Sequence, residues 1–453
     1  MDDLLAKVPA AVHFLLRRLR ERGHRGWIVG GCVRDLLRGL QPKDWDIATD
    51  ARPEQVVAAF DHVIATGLQH GTVTVLVGTE PFEVTTLRGE GAYHDGRRPE
   101  SVQFVDDITA DLARRDFTCN AIAIDPQSGQ VIDPFGGRAD LRAGIVRAVG
   151  NAEERFAEDG LRVLRGARFV AALAASLDPA TERAMASARA HATFRKVSAE
   201  RIREEWLKSM HAPKPSQAFS VMLRTGVLGL IAPELLESVG CAQNRYHAFD
   251  VWGHAMACLD ACEPAALLRL AALLHDIGKP RTRAFSDKTN DYTFYEHERI
   301  GAEMVEPLLH RLKFGNDERA KVTALVRHHL ICYEPGWSNA AVRRWLRRVG
   351  PDLAPDLFRL GRADALGKGL DAAADLARLA EFERRTQQLV TAGAALSVRD
   401  LAIGGNELRS ELGMAPGPAM GRVLGQLLEL VLDEPERNTR EGLLEAARRL
   451  VGS

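Results

Sequence analysis

The sequence lacks three features that would define a class at once: many cysteines, a long apolar run and an excess of one charge. Its six cysteines, scattered over 453 residues, are too few for the disulfide scaffold of a small secreted domain, and they favour a reducing cytoplasm. The best apolar stretch, near residues 169–177, is too short to cross a bilayer, so we expect no membrane association. The N-terminal segment places acids before a brief apolar stretch, the reverse of a secretory signal, and predicts an amphipathic helix.

Neither sign of charge is in excess, because 60 Lys and Arg residues balance 61 Asp and Glu residues and give a formal net charge of −1. Nucleic-acid binding needs only local positive charge, which displaces the counterions of the phosphates. Arginines cluster in four stretches, at 17–20, 114–115, 162–168 and 343–348. Because exposed arginine runs are commonly solvated surface, these stretches permit nucleic-acid binding without indicating it.

The residue pattern changes near position 150. Before it, short runs rich in β-branched and aromatic residues are separated by Gly, Pro and Asp, which predicts strands of a small mixed sheet with helices. These runs lie at 27–29, 45–48, 72–77, 82–86 and 121–124. After it, Ala, Leu, Arg and Glu recur at helical spacing, with breaks at 212–215 and 367–369. We therefore predict an α/β head at 1–148 and all-α segments at 149–212, 213–370 and 371–453.

The head contains a Gly-Gly turn beside two carboxylates. Gly30 and Gly31 follow a predicted strand, and because they lack a Cβ their backbone N–H groups can approach a phosphate closely. Asp44 and Asp46 are one residue apart, so on an extended segment they point to the same face. Glu83 would add a third carboxylate if its strand neighbours that of Asp46. Such oxygen ligands suit Mg²⁺, and two Mg²⁺ ions suit the transfer of a nucleotide to a 3′-hydroxyl.

Arginines near these carboxylates favour a metal and phosphate site over a solvated strand end. Arg34 follows the glycine turn closely, and its guanidinium can bind phosphate oxygens at two points. The run Arg114-Arg115-Asp116 forms a second basic and polar cluster at the edge of a predicted strand. A salt-bridge cluster at a helix end is the alternative interpretation of that run.

The ordered motifs of residues 25–210 resemble those of the class II tRNA nucleotidyltransferase and bacterial poly(A) polymerase family. They are, in order, Gly30-Gly31-x-x-Arg34-Asp35, Asp44-x-Asp46, Arg114-Arg115-Asp116-Phe117-Thr118, Asp133-Pro134-Phe135-Gly136-Gly137 and Glu158-Asp159-Gly160-Leu161-Arg162. The resemblance implies a head, neck, body and tail, and Mg²⁺-dependent addition of nucleotides from CTP and ATP to tRNA. It implies metal ligands at Asp44 and Asp46, and the strand pattern adds Glu83 to this catalytic group. It further implies nucleotide contacts by Gly31, Arg34, Arg115, Asp159, Arg162 and Arg165, to which we add Gly30 of the glycine turn and Asp116 of the basic and polar cluster.

The segment at 152–171 predicts one helix in the neck. On it Glu158, Arg162 and Arg165 would share a stripe, and Asp159 would reach Arg162 one turn later. A surface ion-pair ladder is one interpretation of this spacing. The other is base selection, since cytosine and adenine present an amino donor beside an unprotonated ring nitrogen, whereas uracil and guanine present a carbonyl beside a protonated one. A carboxylate next to a guanidinium complements the first two bases, and the family resemblance assigns this role to Asp159 and Arg162.

Histidines and aspartates are spaced through the segment at 213–370. His275 and Asp276 follow an apolar helix and precede a glycine, with His254 before them and Asp364 after them. His297, His328 and His329 continue the series between them. The series resembles an HD-domain metal site in which His254, His275, Asp276 and Asp364 bind a divalent cation, Mn²⁺, Ni²⁺ or Fe²⁺ as well as Mg²⁺. Such a site implies phosphatase or cyclic phosphodiesterase activity; a vestigial site is the alternative.

The segments at 401–408 and 417–431 resemble a helical tail that holds tRNA by shape and phosphate contact. The resemblance as a whole implies addition of CCA to tRNA in the cytoplasm by a monomer or homodimer. Three alternatives stay open: a poly(A) polymerase, an enzyme that adds only CC or only A, and a metal-dependent phosphohydrolase with a non-catalytic head. The mixed charges of the C-terminus argue against the first. The segment at 87–105 favours full CCA addition, because in this family that loop serves the switch from C to A.

Overall fold

The computed structural model describes residues 4–64, 71–89 and 103–451. The chain divides into two compact units, one of Met1–Leu236 with Arg311–Lys313 and the other of Glu237–His310 with Phe314–Ser453. Most of the segment at 87–105, expected to serve the switch from C to A, lies outside the described residues. Across the described ranges, no helix combines the length and the apolar character that crossing a membrane requires.

The first unit is built on one mixed sheet, as the sequence predicts. Within the described residues its strands are β1 (Gly26–Val29), β2 (Asp46–Thr49), β3 (Val63–Ile64), β4 (Thr72–Val77), β5 (Glu80–Thr86), β6 (Ala123–Ile124) and β7 (Val131–Ile132). Their order across the sheet is β3-β4-β5-β2-β1-β6-β7. The neighbours β2 and β5 are parallel, with Asp46 opposite Glu83, and the other neighbouring pairs are antiparallel. The strand of Glu83 is therefore the neighbour of the strand of Asp46.

Two details of the sheet differ from the prediction. The run at 121–124 is a strand only in its second half, because Thr118–Asn120 is a 3₁₀ turn that Ala121 closes by donating its N–H to the Thr118 carbonyl (3.0 Å). The strands β3 and β7 are absent from the predicted set. Each has two residues, too few for an alternating pattern to be visible in a sequence.

Helices and one small strand pair complete the first unit. They are α1 (Ala10–Glu21), α2 (Gly31–Leu37), α3 (Pro53–Ala59), α4 (Ile108–Ala113), α5 (Gly137–Ala143), α6 (Ala152–Glu158), α7 (Leu161–Leu173), α8 (Pro179–Met185), α9 (Ala188–Phe194), α10 (Ala199–Ser209), α11 (Ser216–Arg224), α12 (Val227–Ile231) and the parallel strands β8 (Ile145–Val146) and β9 (Ser176–Leu177). The N-terminal helix α1 is amphipathic as predicted. It buries Val12, Leu15, Leu16 and Leu19 in the same core as Ile28 of the sheet.

The neck is not the single helix predicted at 152–171. It breaks at Asp159, whose φ of −141° and ψ of 110° are extended. The next position requires glycine, because a Cβ on Gly160 would lie 2.5 Å from the backbone N of Phe194. Asp159 then starts the next helix, since its Oδ1 accepts the Leu161 N–H (3.0 Å).

The second unit is mostly helical, with one short antiparallel hairpin. Its elements are α13 (Val251–Ala261), α14 (Ala266–Leu274), α15 (Lys279–Thr282), β10 (Ala284–Ser286), β11 (Asp291–Thr293), α16 (His297–Arg311), α17 (Asn316–His328), α18 (Asn339–Val349), α19 (Ala354–Gly367), α20 (Ala373–Thr391), α21 (Gly405–Leu412), α22 (Pro418–Asp433) and α23 (Arg440–Val451). The segments predicted as a helical tail fall on α21 and α22, which share one apolar core with α23.

Part of the arginine stretch at 343–348 contacts the tail helices. Buried Arg343 donates from Nε to the Leu432 carbonyl (2.7 Å) at the end of α22. Arg344 forms an ion pair with Asp433 (2.7 Å). These guanidinium groups therefore hold α18 against α22 within the second unit.

Candidate functional site

Most residues of the predicted nucleotide site line one cavity of about 580 Å³ in the first unit. Those that do so are Gly30, Gly31, Arg34, Asp46, Glu83, Arg115, Asp116, Asp159, Arg162 and Arg165. The elements that supply them are separated in sequence but adjacent through the sheet and the neck. Asp44 lies just before β2, on an exposed position.

The turn between β1 and α2 requires glycine at its first position. Gly30 has a φ of +80°, and a Cβ there would lie 2.6 Å from Arg115 Nη1. Its N–H donates to the Ile122 carbonyl (3.1 Å), which fixes the turn beside the neighbouring segment. Both glycines line the cavity, and the Arg115 guanidinium packs directly against Gly30.

The carboxylates form an oxygen-rich group next to this turn. Burial raises the pKa of Asp46; Arg115 opposes this effect, and the charges of Glu83 and Asp44 add to it. Three carboxylates that repel one another in this way provide the hard oxygen donors that Mg²⁺ prefers. The donor set therefore fits the predicted magnesium site.

Guanidinium groups supply positive charge to the same cavity. The arginines that line it are Arg34, Arg88, Arg114, Arg115, Arg162, Arg165, Arg168 and Arg201. Arg34 donates to Asp35 (2.9 Å) and to Asn120 (2.8 Å). The guanidinium carbons of Arg34 and Arg165 lie 5.6 and 5.5 Å from the ring centroid of Phe169, within cation–π range. These contacts hold both guanidinium groups in place before any phosphate binds.

Asp116 positions Arg165. Its Oδ2 accepts from Arg165 Nε (2.6 Å), and its Oδ1 accepts from the Phe117 N–H (2.8 Å). Burial opposes ionisation of Asp116, but the charge of Arg165 outweighs burial and lowers the pKa of the carboxyl to about 2. The pair therefore stays ionised throughout the physiological pH range.

The predicted pairing of Asp159 with Arg162 is wrong for this structure. Asp159 Oδ2 pairs with Arg201 of α10 (2.7 Å), and Arg162 pairs with Glu158 (2.5 Å). The cause is the break at Asp159, because its extended backbone removes the side chain from the helical stripe on which the prediction placed it. Sequence reasoning missed Arg201.

The four predicted metal ligands of the second unit converge. His254 Nε2 lies 3.3 Å from Asp276 Oδ2 and 3.1 Å from Asp364 Oδ1; His275 Nε2 lies 3.2 and 3.7 Å from the same oxygens. Burial opposes charge on both histidines, but the carboxylates outweigh it and raise the pKa to about 9 for His254 and about 10 for His275. Burial also opposes charge on Asp276 and Asp364, yet the facing imidazoles hold the pKa of both well below the usual range. Nitrogen and oxygen donors facing one another in this way fit a divalent cation.

Residues that the sequence did not assign join this cluster. The Sγ atom of Cys258 lies 3.4 Å from His254 Nε2, and burial raises the pKa of the thiol. On the other side, the Nε2 atoms of His297 and His329 lie 3.3 and 3.7 Å from Asp276 Oδ1. The spacing of Cys258 one helical turn after His254 was a visible signal. For His297 and His329, the histidine residue type was the only signal in the sequence.

Three stretches of the chain match known families. Residues 26–147 match the family described as "Poly A polymerase head domain". Residues 176–238 match the family described as "Probable RNA and SrmB- binding site of polymerase A". Residues 245–366 match the HD domain.

Curated relatives and a solved structure cover almost the whole chain. The CCA-adding enzyme of Lactobacillus delbrueckii subsp. bulgaricus is 35% identical over 434 residues, 95% of each chain. The A-adding tRNA nucleotidyltransferase of Deinococcus radiodurans is 33% identical over 411 residues, 89% of this chain and 90% of that one. The structure is similar to the Bacillus stearothermophilus CCA-adding enzyme in complex with CTP, with a TM-score of 0.73, 28% identity, and coverage of 98% of this chain and 99% of that one.

Proposed function

This chain belongs to the family of tRNA nucleotidyltransferases that contains the CCA-adding enzymes, and we propose that it adds CCA to tRNA 3′ ends from CTP and ATP. The observation that carries the proposal is the register of Asp46 with Glu83, next to the Gly30 turn, in a cavity lined by arginines. A carboxylate pair for metal and a basic, glycine-lined pocket for phosphates are the two parts that nucleotidyl transfer needs.

The chain's own residues divide the work of transfer in this proposal. Asp44, Asp46 and Glu83 would hold two Mg²⁺ ions, which supply positive charge to the phosphates and to the attacking 3′-hydroxyl. Arg34 and Arg115 bind the triphosphate beside the glycine turn, where the absence of a Cβ lets the phosphates come close. Their positive charge offsets the negative charge that gathers on the leaving pyrophosphate.

Base selection would take place at the neck end of the cavity. We retain Asp159 and Arg162 as the base-reading residues, because both line the cavity and a carboxylate and a guanidinium can each reach one half of the donor and acceptor edge of cytosine or adenine. The contact between Asp159 and Arg201 orients the carboxylate until a base arrives. Binding of uracil or guanine leaves buried polar groups unpaired, at about 1–3 kcal/mol per group.

An extension assay distinguishes the products, since the relatives include both CCA-adding and A-adding enzymes. A tRNA ending at its discriminator base receives CTP, ATP or both with Mg²⁺, and the products are sequenced. We expect two Cs with CTP and a final A when ATP is also present. If the protein extends only a tRNA that already ends in CC, it is an A-adding enzyme instead. Arrest after CC would make it a CC-adding enzyme, and a long A tract would make it a poly(A) polymerase.

The second unit supports a second activity. His254, His275, Asp276 and Asp364 form a donor set for one divalent cation, and we propose that this site hydrolyses phosphate esters at RNA ends. Reciprocal variants test it: Asp46→Ala should abolish nucleotide addition and leave hydrolysis, and His275→Ala should do the opposite. Loss of both activities in either variant would contradict two separate sites.

The remaining assignments are parts of the same proposal. Head, neck, body and tail would meet near residues 148, 212 and 370, with the tail at 371–453 holding tRNA by its shape. The reaction would take place in the cytoplasm, whose reducing conditions suit the six unpaired cysteines. Analytical ultracentrifugation of the enzyme, free and with tRNA, distinguishes a monomer from a homodimer.

A further inference from the structure

One aromatic ring in the cavity of the first unit has three guanidinium groups around it. The ring is that of Phe169, which is buried on α7 and lines the cavity. The guanidinium carbons of Arg168, Arg165 and Arg34 lie 4.2, 5.5 and 5.6 Å from its centroid. All three distances are within the range of cation–π attraction. Phe169 is thus a common contact for three cations that repel one another.

The cation nearest the ring is Arg168, which was not among the predicted site residues. Its guanidinium lines the cavity, and its Nε donates to Glu205 Oε2 (2.7 Å). Glu205 belongs to α10 and is buried. The other oxygen of this carboxylate, Oε1, lies 4.0 Å from Arg165 Nη1. Glu205 therefore holds Arg168 beside Arg165 on the wall of the cavity.

The three guanidinium groups share one mode of attachment. Arg34, Arg165 and Arg168 each donate from Nε to a carboxylate, at 2.9, 2.6 and 2.7 Å. A guanidinium presents five N–H donors in a rigid planar fork, so attachment through Nε leaves the donors of the two terminal nitrogens. For Arg165 and Arg168, the hydrogen bonds found in the described part of the chain are all made by Nε. Their terminal nitrogens are therefore left for a ligand in the cavity.

The donors that remain suit phosphate. A guanidinium fork binds phosphate oxygens at two points, and the positive charge strengthens each hydrogen bond. The same cavity contains the turn at Gly30 and the carboxylates of Asp46 and Glu83, so under the proposed function a nucleoside triphosphate occupies it. An aromatic ring offers phosphate oxygens no hydrogen-bond donor, so any effect of the ring on phosphate passes through the arginines.

We propose that Arg168 is a further phosphate-binding residue of the nucleotide site, and that Phe169 positions it together with Arg165 and Arg34 by cation–π contact. The inference rests on the proposed function, since it takes the incoming triphosphate as the ligand. The negative faces of the ring attract the cations and offset part of their mutual repulsion. The guanidinium groups are therefore in place before phosphate arrives, and less side-chain freedom is lost when it binds.

Fluorination of the Phe169 ring tests the cation–π contact with little change of shape. Fluorine withdraws electron density from the ring faces, so mono-, di- and trifluoro analogues of Phe169 weaken the attraction in steps. The Kd of the full-length protein for CTP, measured by calorimetry, should rise at each step and by about 5-fold over the series. A Kd that stays constant across the series would overturn the role of Phe169.

Phe156 is the matched control for this series. It is buried and, like Phe169, contacts the ring of Phe117, but within the described residues no guanidinium lies over it. Fluorination of Phe156 should leave the Kd for CTP unchanged. Equal effects at the two positions would also overturn the role of Phe169, because packing alone would then explain them.

Arg168→Gln tests the direct contact with phosphate. The Kd for CTP should rise by about 10-fold or more. The Kd for inorganic pyrophosphate should rise by the same factor, because both ligands offer linked phosphate groups. Arg138→Gln, exposed on α5 and outside the cavity lining, should match the wild type. A higher Kd for CTP with an unchanged Kd for pyrophosphate, or two unchanged values, would overturn the assignment of Arg168.

An extension assay on the same proteins separates this inference from the function on which it rests. A wild type that binds CTP but extends no tRNA would refute the function, while the Kd values still decide the roles of Arg168 and Phe169. A wild type that adds CCA, with Kd values unmoved by either change, would refute the inference alone. Failure of the wild type to bind CTP would refute both. Circular dichroism confirms each fold, and Arg168→Lys, which keeps the charge without the fork, repeats the test should Arg168→Gln unfold.

Discussion

Asp46 and Glu83 lie directly opposite each other on the parallel strands β2 and β5. Their side chains line the same cavity, although 37 positions separate them in the numbering of the chain. The pairing explains how a residue outside the Asp44-x-Asp46 motif enters the candidate metal site. It also makes the third carboxylate depend on strand register, since a shift of one residue would turn Glu83 to the other face.

Glu83→Gln should therefore reduce nucleotide addition while leaving the fold intact. The change removes one negative charge from the metal-binding group and keeps the size of the side chain. We expect kcat for CMP and AMP addition to fall by about 10²–10³-fold, the usual cost of losing one electrostatic contact in an active site. Glu80→Gln, on an exposed position of the same strand, should keep the wild-type rate. Equal rates for the two variants would remove Glu83 from the catalytic group.

Asp159→Ala should relax the choice of nucleotide. Losing the carboxylate removes the acceptor for the amino groups of cytosine and adenine. The lost hydrogen bond costs about 1–3 kcal/mol, which corresponds to a loss of selectivity of about 5- to 150-fold. Measurement of kcat/KM for all four triphosphates should show CTP losing its advantage over UTP, and ATP over GTP. The control is Glu154→Ala, exposed on the preceding helix. Selectivity unchanged by Asp159→Ala would assign base reading to other residues.

The ion pair of Asp116 and Arg165 should make stability depend on pH below 4. Against burial, Arg165 lowers the pKa of Asp116 from its ordinary 3.8 to about 2. Because the pKa of Asp116 is lower in the folded state than in the unfolded state, the ion pair stabilises the fold at pH values above the unfolded-state pKa. This stabilisation is lost as the pH falls through the folded-state pKa. By linkage, the ion pair contributes about 2 kcal/mol to the free energy of unfolding at pH 7 and about half of that at pH 3.

Urea unfolding of wild type and Asp116→Asn at both pH values measures this effect. The variant should be less stable at pH 7, and the gap in the free energy of unfolding should narrow at pH 3. Asp61→Asn, on an exposed position, should change stability by less than about 0.5 kcal/mol at either pH. A gap that widens on acidification would show that the pair does not hold the Asp116 pKa down.

Gly160→Ala should destabilise the first unit, whereas the same change at Gly421 should not. A Cβ on Gly160 would lie 2.5 Å from the Phe194 backbone, and one on Gly421 would meet nothing within 4 Å. Overpacking costs about 1–3 kcal/mol, while alanine in an exposed helix gains about 0.5–1 kcal/mol over glycine. Thermal unfolding monitored by circular dichroism should show changes of opposite sign. A neutral Gly160→Ala would mean that the backbone at Phe194 gives way to a Cβ without cost.

The sequence predicted the parts of the candidate site that depend on local pattern. The turn at Gly30, the alternation that exposes Glu83 and the apolar helix before His275 are each visible within a few residues. The pairing of Asp159 was mispredicted because the helix breaks at this residue, and its partner comes from another helix. Arg201 was missed for the same reason, since its ion pair spans 42 positions. The grouping of His297 with His329 depends on how α16 packs beside α17, which spacing alone does not reveal.

The contacts of Arg343 and Arg344 with α22 bear on how binding of RNA responds to salt. A cation weakens binding at high salt only if it releases counterions from the phosphates. Arg343 is bonded to the Leu432 carbonyl and Arg344 to Asp433, so neither is available to do so. These two arginines therefore add little to the slope of log K against log salt, and that slope comes mostly from cations elsewhere.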